Sequence, residues 1–583
     1  EDYIQYGGED GEPNIKYNSD WGYYNGDVYT WRRNFYHKPI ASLNWEWDIN
    51  NKSKLSTVLY GSWGRGGGTG GIGAINGSAY YYGTFRGDDG LVRFDDIATW
   101  NSGGSVPDFG ADRTDSSPYT NDRYTGISRR ASMNSHDWYG VITNYHNDIN
   151  ENLSFDFGAD LRTYSGYHYR VVNDVLGADQ YYDNRDINNP DRIILPADFV
   201  EADPSWNPFE NITDQEKIEY YNQGNVRWEG VFGQVEYKTD KYSAFVQGGF
   251  SNQDFQRIDY FNLPRDVDGD GTVEPQESDW VSMTGGNIKG GVNYNINEQH
   301  NVFVNAGYYS KQPLFRSVFP NYTDNNTNSN LTNETVIGVE AGYGFKTRNW
   351  NIKLNLYNTS WKDRYAQFTA YRDIDGDGTD DRLTARVFDG IEEVHRGVEL
   401  EARGNYGKLK VFGMISAGDW SYTNNATATL YDYNEANVGD LTLFLDDVKV
   451  GDAAQFTSRI GANYNIIEGL YIDANYFYAD KLYAYFDATS FSDPNGRNEA
   501  LELPSYGLVD ASLTYKYKFK KGNKLTARFT VNNLFDKTYI SESDTNYFPG
   551  DRGNDETWDG INTSNRVFFG WGRSWNISLR YTF

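Results

Sequence analysis

Apolar and polar residues alternate in short segments from one end of the chain to the other. Successive side chains of a β-strand point to opposite faces, so this pattern predicts strands with one apolar and one polar face. The last ten residues show the alternation without a break. Their apolar face consists of Trp575, Ile577, Leu579, Tyr581 and Phe583. By itself this segment fits the last strand of a membrane barrel and a C-terminal strand of a soluble sandwich equally well.

Sixteen further segments repeat the pattern, mostly as pairs separated by a few residues. The seventeen predicted strands are 43–49, 55–61, 138–145, 153–162, 231–237, 244–250, 288–294, 302–308, 336–345, 352–361, 397–403, 409–416, 457–464, 470–478, 508–517, 525–532 and 573–583. Short turns at one end and long connections at the other are typical of outer-membrane barrels. A β-propeller would show a repeat of about 40–50 residues, which is missing, and soluble sandwiches seldom need such long loops.

Hydropathy separates a membrane barrel from a helical membrane protein. The mean hydropathy is −0.74, and the sequence contains no stretch of the roughly 20 apolar residues that a membrane helix needs. A spanning strand needs only about 9–11 residues, half of them polar when the lumen is wet. Tyr, Trp and Phe make up 17% of the chain, and Tyr and Trp favour the lipid–water boundary. A soluble, aromatic-rich glycan-binding protein is the competing explanation.

Charge and cysteine content exclude several classes of function. The chain has 53 Lys or Arg and 82 Asp or Glu, a formal charge of −29, which argues against nucleic acid as a partner. Without cysteine there are no disulfides, no thiol catalysis and no thiolate metal sites. The six His are scattered, without the spacing of a metalloprotease or the nucleophile motif of a hydrolase. We therefore do not expect an enzyme.

Four stretches carry a resemblance to a known family. The segment 531–539, with its Asn-Leu-Phe-Asp core, resembles the penultimate-strand signature of TonB-dependent outer-membrane receptors. As in that family, one long loop and a strand that ends on an aromatic residue follow it. The segments 31–39, 64–70 and 134–140 are similar to a subgroup that carries a carboxypeptidase-regulatory-like domain ahead of the plug.

The resemblance implies an all-β fold: a large antiparallel transmembrane β-barrel, of about 22 strands when complete, with long extracellular loops. The protein would be a multi-pass component of the outer membrane, and its last strand, ending at Phe583, would be the signal read by the assembly machinery. Family members begin with a TonB-contacting box, a plug of more than a hundred residues and the first strands. None of these precedes Tyr3, so we interpret residues 1–583 as a barrel that lacks the plug and about five strands.

The implied function is TonB-dependent active transport of a bulky nutrient, such as a siderophore, an oligosaccharide or a peptide, across the outer membrane. The expected partners are outer-membrane lipids, the TonB complex through the N-terminal segment not found here, and a surface lipoprotein. The first alternative is a passive or protein-docking barrel without active transport. The second is the soluble glycan-binding β protein.

One acidic loop fits the Asp-x-Asp-x-Asp-Gly-x5-Glu calcium-binding pattern at every position. Its expected ligands are Asp266, Asp268, Asp270, Thr272 and Glu277. The flanking residues are not helical, so the loop is not an EF-hand, although the loop alone can bind calcium. A bound ion would stiffen an extracellular loop rather than take part in chemistry. The alternative is a solvated acidic turn without an ion.

A second acidic loop keeps the first half of that pattern. Asp373, Asp375 and Asp377 precede Gly378, and Asp381 would supply the later carboxylate because position twelve is Thr384. Calcium is therefore the expected cofactor of both loops. As for the first loop, the alternative is an acidic turn that binds only water.

Ligand contacts are sought among aromatic residues of the long connections. Rings there can stack on a sugar or an aromatic siderophore, or simply pack loop against loop. The candidates are Tyr81, Trp100, Tyr182, Trp206 and Trp558. The sequence contains no cluster of Arg and Lys of the kind that would indicate a purely anionic cargo.

The glycine-rich run 64–73 follows the second predicted strand. Such runs cradle phosphates when a helix N-terminus comes next, but here Tyr80, Tyr81 and Tyr82 follow and predict no helix. We expect the run to belong to a flexible extracellular loop that reaches to about residue 137. In the next long connection, residues 214–220 are compatible with one short helix.

Overall fold

The protein is described by a computed structural model that covers residues 2–9, 11–207, 209–210, 212–264, 274–321, 323–432, 434–520 and 522–583. Seventeen long strands form one antiparallel sheet that closes into a barrel, which confirms the predicted all-β fold. All seventeen predicted strands are present. No helix of the described residues is long and apolar enough to cross a membrane.

The barrel strands are numbered here in chain order. They are β1 (two segments, Asn34–His37 and Ile40–Asn50), β2 (Ser53–Ile75), β3 (Gly126–Asp148), β4 (Leu153–Asp174), β5 (Ile218–Lys238), β6 (Tyr242–Asp259), β7 (Val281–Asn295), β8 (His300–Lys311), β9 (Glu334–Lys346), β10 (Trp350–Arg372), β11 (Asp381–Tyr406), β12 (Leu409–Tyr422), β13 (Ala454–Ile467), β14 (Leu470–Tyr483), β15 (Tyr506–Lys518), β16 (Lys524–Asn532) and β17 (Ser574–Thr582).

Consecutive barrel strands pair with each other, from β1 with β2 to β16 with β17. Eight turns of two to five residues join them at one end, and eight connections of 8 to 50 residues join them at the other. In outer-membrane barrels the short turns are periplasmic and the long loops extracellular. The long connections therefore form an extracellular crown.

The alternation of side chains assigns each strand its two faces. In β8, Val302, Val304 and Tyr308 lie on one face and are exposed, while the residues between them point to the other face. Pairing keeps like faces together, since Val304 is opposite Ala341 of β9 and Val292 of β7. The exposed apolar face forms a continuous belt around the barrel, so it faces lipid and the other face lines the lumen.

Shorter elements fill the crown. The helices are Asp2–Gln5, Phe94–Asn101 and Phe315–Val318, and the 3-10 turns are Gly83–Phe85, Pro107–Phe109, Pro196–Asp198, Ile212–Asp214, Ala488–Phe491 and Asp551–Gly553. The short strands are Trp21–Tyr24, Asp27–Thr30, Ser78–Ala79, Thr120–Asn121, Gln180–Asp183, Arg192–Ile194, Gln276–Glu277, Ala426–Tyr431, Asn437–Leu443, Glu502–Leu503, Ile540–Ser543, Thr557–Trp558, Ile561–Asn562 and Val567–Phe569. The buried apolar clusters lie mainly among these elements and the upper ends of the barrel strands.

The prediction for the glycine-rich run was wrong. Residues 64–73 belong to β2, which continues to Ile75 and pairs with β3 along this length, for example Gly67 with Met133. Glycine is required here by close packing: a Cβ on Gly67 would lie 2.9 Å from the sulfur of Met133. The run therefore lengthens a strand beyond the membrane instead of forming a flexible loop. Residues 214–220 also differ from the expected helix, since a 3-10 turn ends at Asp214 and β5 begins at Ile218.

The first and last strands of the barrel are its most accessible part. Every residue of Ile40–Asn50 and of Ser574–Thr582 is exposed, on both faces, whereas the strands between them contain half-buried or buried residues throughout. The two segments therefore form a seam at which lumenal as well as lipid-facing side chains are accessible.

Candidate functional site

Large aromatic rings occupy the lumenal face of the barrel near the extracellular end of the lipid-facing belt. They point away from lipid because each stands on the polar face of its strand, as Trp228 does between the lipid-facing positions 227 and 229. We call the set the lumenal arc. Its members are Tyr60, Trp138, Tyr164, Trp228, Tyr309, Tyr357, Trp361 and Trp420.

The members of the arc contact each other where neighbouring strands bring them together. The rings of Trp138 and Tyr164 meet edge to face at 5.9 Å between centroids, and the ring of Tyr60 lies 6.4 Å from that of Trp138. Farther around the wall, the Trp420 indole N–H donates to the Tyr357 hydroxyl at 3.0 Å. Such contacts fix the orientation of the rings.

Lumenal glycines allow the rings to lie against the sheet. A Cβ on Gly418 would come within 2.6 Å of the Trp420 indole nitrogen, and one on Gly397 within 2.5 Å of the Tyr357 hydroxyl. A Cβ on Gly307 would lie 2.8 Å from the ring of Tyr309. Each of these three rings therefore lies over a glycine, where a side chain would displace it.

A cavity of about 520 Å³ opens along the arc between β4 and β10. Its aromatic wall consists of Trp228, Phe232, Tyr309 and Trp361. Its polar groups come from Asp160, Ser251, Asn287, Lys311 and Gln312. Flat rings with a few polar groups at their edges recognise ligands that combine planar or apolar faces with hydrogen-bonding edges.

A charged cluster continues the arc on β10 and β11. The buried carboxylate of Glu393 accepts from Arg364 and lies 3.0 Å from Nε2 of His395. The imidazole of His395 stacks on the indole of Trp420 with 5.2 Å between centroids. His395 therefore lies between the buried carboxylate of Glu393 and an aromatic ring of the lumenal wall and contacts both.

Nearly all of the net charge lies in the crown. Its eight long connections contain 46 Asp or Glu and 15 Lys or Arg, which gives −31, so the rest of the chain sums to +2. A surface of one sign raises the local concentration of ions and ligands of the opposite sign. The mouth of the barrel therefore attracts cations and repels strongly anionic molecules.

The second acidic loop has carboxylates close enough to share an ion. Ligand atoms of Asp373, Asp375 and Asp377 lie within 4.8 Å of one another, and this is the one such group among the described residues. The backbone N–H groups of Gly376 and Gly378 donate to Asp373 at 2.7 and 2.9 Å. These hydrogen bonds, above all that from Gly378, lower the pKa of the Asp373 carboxyl. Asp373 is therefore ionised at neutral pH, and the three side chains offer oxygen ligands of the kind that Ca²⁺ prefers.

Asp381 has a different position from the one expected of a ligand in that loop. Its Oδ2 accepts the backbone N–H of Ile374 at 3.2 Å, so it closes the loop at its base. Of the first acidic loop, Asp266, Asp268, Asp270 and Thr272 lie outside the described residues. Glu277 is described, and its Oε2 accepts from the side chain of Gln256 at 2.9 Å. Calcium binding by either loop stays a prediction.

The five candidate aromatic residues lie apart from one another. Trp100 is only 3% exposed, and its indole N–H donates to the Ala111 carbonyl at 3.0 Å, so packing accounts for it. Tyr182 donates to Asp191, and Trp558 donates to Glu12 at 3.2 Å. Tyr81 is exposed in the first long loop.

Trp206, the fifth candidate, lies on the outer side of the barrel wall. Its ring packs against that of His37 at 4.6 Å between centroids, with the two planes tilted by 50°. None of the five lines the lumenal cavity.

The proposed assembly signal has the face that the alternation predicts. Trp575 and Ile577 pair with Val531 and Phe529 of β16, on the lipid-facing side. Leu579 and Tyr581 continue this face, and Phe583 follows directly after the strand with 98% of its surface exposed. Their role in assembly stays a prediction.

Sequence reasoning missed the lumenal arc although its signal is present. Trp138, Tyr357 and Trp361 lie within predicted strands, at positions of the polar face. An aromatic residue on the polar face of an alternating strand is the pattern that indicates a lumenal ring. Only the pairing of strands shows that rings as distant in sequence as Trp228 and Trp361 line one cavity.

A known family matches most of the chain. The family described as TonB dependent receptor-like, beta-barrel, matches residues 2–534. No curated protein sequence matches the chain.

Solved structures share the fold at low sequence identity. The closed form of the ferric-catecholate import receptor Fiu from E. coli K12 has 14% identity and a TM-score of 0.52, over 95% of this chain and 65% of that one. The copper transporter OprC and the unliganded ferric citrate transporter FecA each have 10% identity and a TM-score of 0.55 over 94% of this chain, and 66% and 61% of theirs. The chain thus spans less than two thirds of these proteins.

Proposed function

The chain belongs to the family of TonB-dependent receptor-like β-barrels, and on that premise we propose that it is the barrel of an active transporter for a bulky nutrient. Receptors of this family lie in the outer membrane and interact with TonB and with its lipids. The protein is accordingly a multi-pass outer-membrane barrel. In the proposal, TonB contacts a segment N-terminal to the barrel and a plug within it, and a surface lipoprotein is a candidate partner at the crown.

The lumenal arc and its cavity of about 520 Å³ are the observation that supports cargo binding. The cavity lies below the crown and inside the wall, where a molecule on its way through the barrel has to pass. Aromatic rings held flat by glycines give a preorganised surface, so little side-chain entropy is lost when a ligand binds. The arc is thus well placed to bind cargo after the extracellular loops have captured it.

The cargo classes compatible with this site are a siderophore, an oligosaccharide and a peptide. All three present rings or amide planes to aromatic side chains and polar groups to their edges. The charge of −31 in the crown disfavours strongly anionic members of each class, because they would be repelled from the mouth. We therefore propose a neutral or cationic cargo.

The test compares uptake and binding in cells that produce the natural, full-length protein. Molecules that co-purify with the detergent-solubilised protein identify the cargo, which is then labelled and followed in cells with and without TonB. Active transport requires that uptake stops without TonB while binding to the cell surface remains. Uptake that continues without TonB would show a passive barrel instead, and a co-purified surface protein without any small cargo would show a docking barrel.

We further propose that the loop 373–381 binds calcium. Three carboxylates within reach of one ion support the proposal, together with two glycines at positive φ, Gly376 and Gly378, that permit the tight turn. A bound ion would offset the mutual repulsion of the carboxylates and stiffen the loop above β10 and β11. The proposed role of the ion is therefore structural.

A further inference from the structure

A segment of the connection between β4 and β5 folds down against the outer surface of the barrel. We call it the outer strap, consisting of the described residues 203–207, 209 and 210. Asp203 forms an ion pair of 2.6 Å with Arg33, and the carbonyl oxygen of Ser205 lies 2.9 Å from Nδ1 of His37. At its far end, the ring of Phe209 packs edge to face on Trp63 at 5.4 Å between centroids. The strap is thus attached to β1 and β2.

Trp63 marks the height of the strap relative to lipid. It shares the lipid-facing side of the wall with Tyr139, to whose hydroxyl its indole N–H donates at 2.8 Å. Trp63 stands ten residues above the start of β2 at Ser53, where the periplasmic turn ends. Since about 9–11 tilted residues span the membrane, Trp63 and Tyr139 lie at the outer lipid–water boundary. Phe209, in contact with Trp63, lies there too.

The apolar rings of the strap are largely exposed, although each of them contacts one side chain of the barrel. Trp206 is 82% exposed and Phe209 is 70% exposed. Both lie within six residues of Asp203, which forms the ion pair with Arg33, so a segment that is attached to the barrel leaves two large apolar side chains uncovered. The acidic groups lie on the other side. Glu201, Asp203 and Glu210 line a cavity of about 270 Å³ between the strap and the barrel wall, together with Arg65. The strap therefore presents one apolar and one charged side.

We propose that the outer strap is a membrane anchor that inserts Trp206 and Phe209 into the boundary between headgroups and acyl chains of the outer leaflet. The exposed rings continue the lipid-facing belt through Trp63, so the same acyl chains that cover the belt are the occupant. Trp and Phe prefer this depth, where apolar surface is removed from water. The strap widens the contact of the barrel with lipid on the side of β1 to β3. This inference does not depend on the cargo or on TonB.

Site-directed spin labelling tests the anchor directly because the chain contains no cysteine. Trp206→Cys and Phe209→Cys are each labelled and reconstituted into vesicles of phosphatidylethanolamine and phosphatidylglycerol. Accessibility to oxygen, which concentrates in lipid, is compared with accessibility to a water-soluble nickel chelate. Both replacements are at exposed side chains, so folding is retained.

Two matched positions calibrate the measurement. Phe250→Cys lies in the lipid-facing belt, where it is 58% exposed, and Tyr124→Cys lies in the first long loop, where it is 71% exposed. We expect the labels at 206 and 209 to favour oxygen over nickel, between the two references and closer to Phe250→Cys. If both labels match Tyr124→Cys, the strap lies in water and the inference is wrong.

Discussion

The indole N–H of Trp420 on β12 donates to the phenol oxygen of Tyr357 on β10, at 3.0 Å and across the whole width of β11. The strand between them contributes Gly397 at this point, directly beneath the Tyr357 hydroxyl. Two side chains thus form a bridge over a strand that has no side chain of its own there. The bridge ties three strands of the lumenal wall together above their backbone hydrogen bonds.

The first prediction concerns the glycine beneath Trp420. A Cβ introduced by Gly418→Ala would lie 2.6 Å from the indole nitrogen, so the ring has to move and the bond to Tyr357 breaks. We expect a loss of about 1–3 kcal/mol, the usual cost of overpacking, measured as a lower midpoint of heat-induced barrel unfolding in detergent gels. Gly338→Ala is the control, because its Cβ would meet only the Thr359 hydroxyl at 3.6 Å.

The second prediction concerns cargo binding by the arc. Trp361→Ala removes one ring from the wall of the lumenal cavity, so we expect about tenfold weaker binding of the co-purifying cargo, equivalent to about 1.4 kcal/mol. Binding is measured by calorimetry on the detergent-solubilised protein. Trp206→Ala removes an indole from the outer surface and should leave affinity unchanged. Equal effects of the two variants would contradict a lumenal site.

The third prediction concerns calcium. Asp373→Asn removes a charge from the three-carboxylate group. It keeps an oxygen acceptor for only one of the N–H groups of Gly376 and Gly378, because the two donate to different oxygens of Asp373. We expect one bound ion fewer per molecule, counted by terbium luminescence, while the circular dichroism spectrum stays the same. The dissociation constant of the unaltered loop for calcium should lie in the range of extracellular calcium modules, about 10⁻⁴–10⁻³ M.

A suitable control for the calcium experiment is Asp432→Asn. Asp432 also accepts two backbone N–H groups, from Asn434 and Ala436, in an exposed turn, but it belongs to no three-carboxylate group among the described residues. It should leave the number of bound ions unchanged. No terbium binding by the unaltered protein would refute the proposal for both acidic loops.

The fourth prediction concerns pH and the buried Lys217. Its ammonium group donates to the carbonyl oxygens of Ile212 and Gln215, both at 2.7 Å, and burial lowers its pKa to about 8. In the unfolded chain the value is about 10.4, so between these pH values the unfolded loop binds more protons than the folded one. The folded loop should therefore become more stable as pH rises from about 8 to 10.

Limited proteolysis of the connection 175–217 measures this effect, with rates normalised to a free peptide cleaved at the same pH. The rate for the loop should fall as the pH rises through that window. Lys217→Met, which cannot titrate and leaves the two carbonyl groups without their donor, should be cleaved faster at pH 7 and show no such fall. An identical pH profile for both proteins would contradict the assignment.

The fifth prediction concerns assembly. Phe583→Ala removes the terminal aromatic residue, which is almost fully exposed after β17, so its loss cannot act through core packing. If it belongs to the assembly signal, the amount of folded, heat-modifiable barrel in the outer membrane should fall severalfold. Tyr124→Ala, an exposed aromatic residue in a loop, is the control. If Phe583→Ala inserts normally, Phe583 is not part of the assembly signal.

The alternation of residues was enough to predict every barrel strand across the membrane, because lipid on one side and a wet lumen on the other impose a period of two. Above the membrane this constraint on the two faces of a strand no longer applies. The upper part of β2 contains seven glycines in ten residues, and it is a strand only because β3 and the segment Asn34–His37 pair with it. Such pairing depends on partners that are distant in sequence.

The candidate site was harder to predict for the same reason. The acidic pattern of 373–381 is local, and the three carboxylates do converge. Trp100 was predicted to be a ligand contact, but it lies on the buried side of the helix Phe94–Asn101. Which side of this helix is buried depends on how the surrounding loop packs. The aromatic wall of the lumenal cavity is formed by rings from three strands, and no local sequence pattern predicts the register in which these strands are placed.

The concentration of negative charge at the extracellular mouth has a consequence for the ionic medium. Electroneutrality requires a screening charge of about thirty elementary charges around the crown, supplied by excess cations and depleted anions. Most of it lies within a few Debye lengths, each about 8 Å at physiological ionic strength. Divalent ions can bridge loops that would otherwise repel each other. Depletion of Mg²⁺ and Ca²⁺ from the medium should therefore spread the loops and widen the entrance, so that the medium itself regulates access to the barrel.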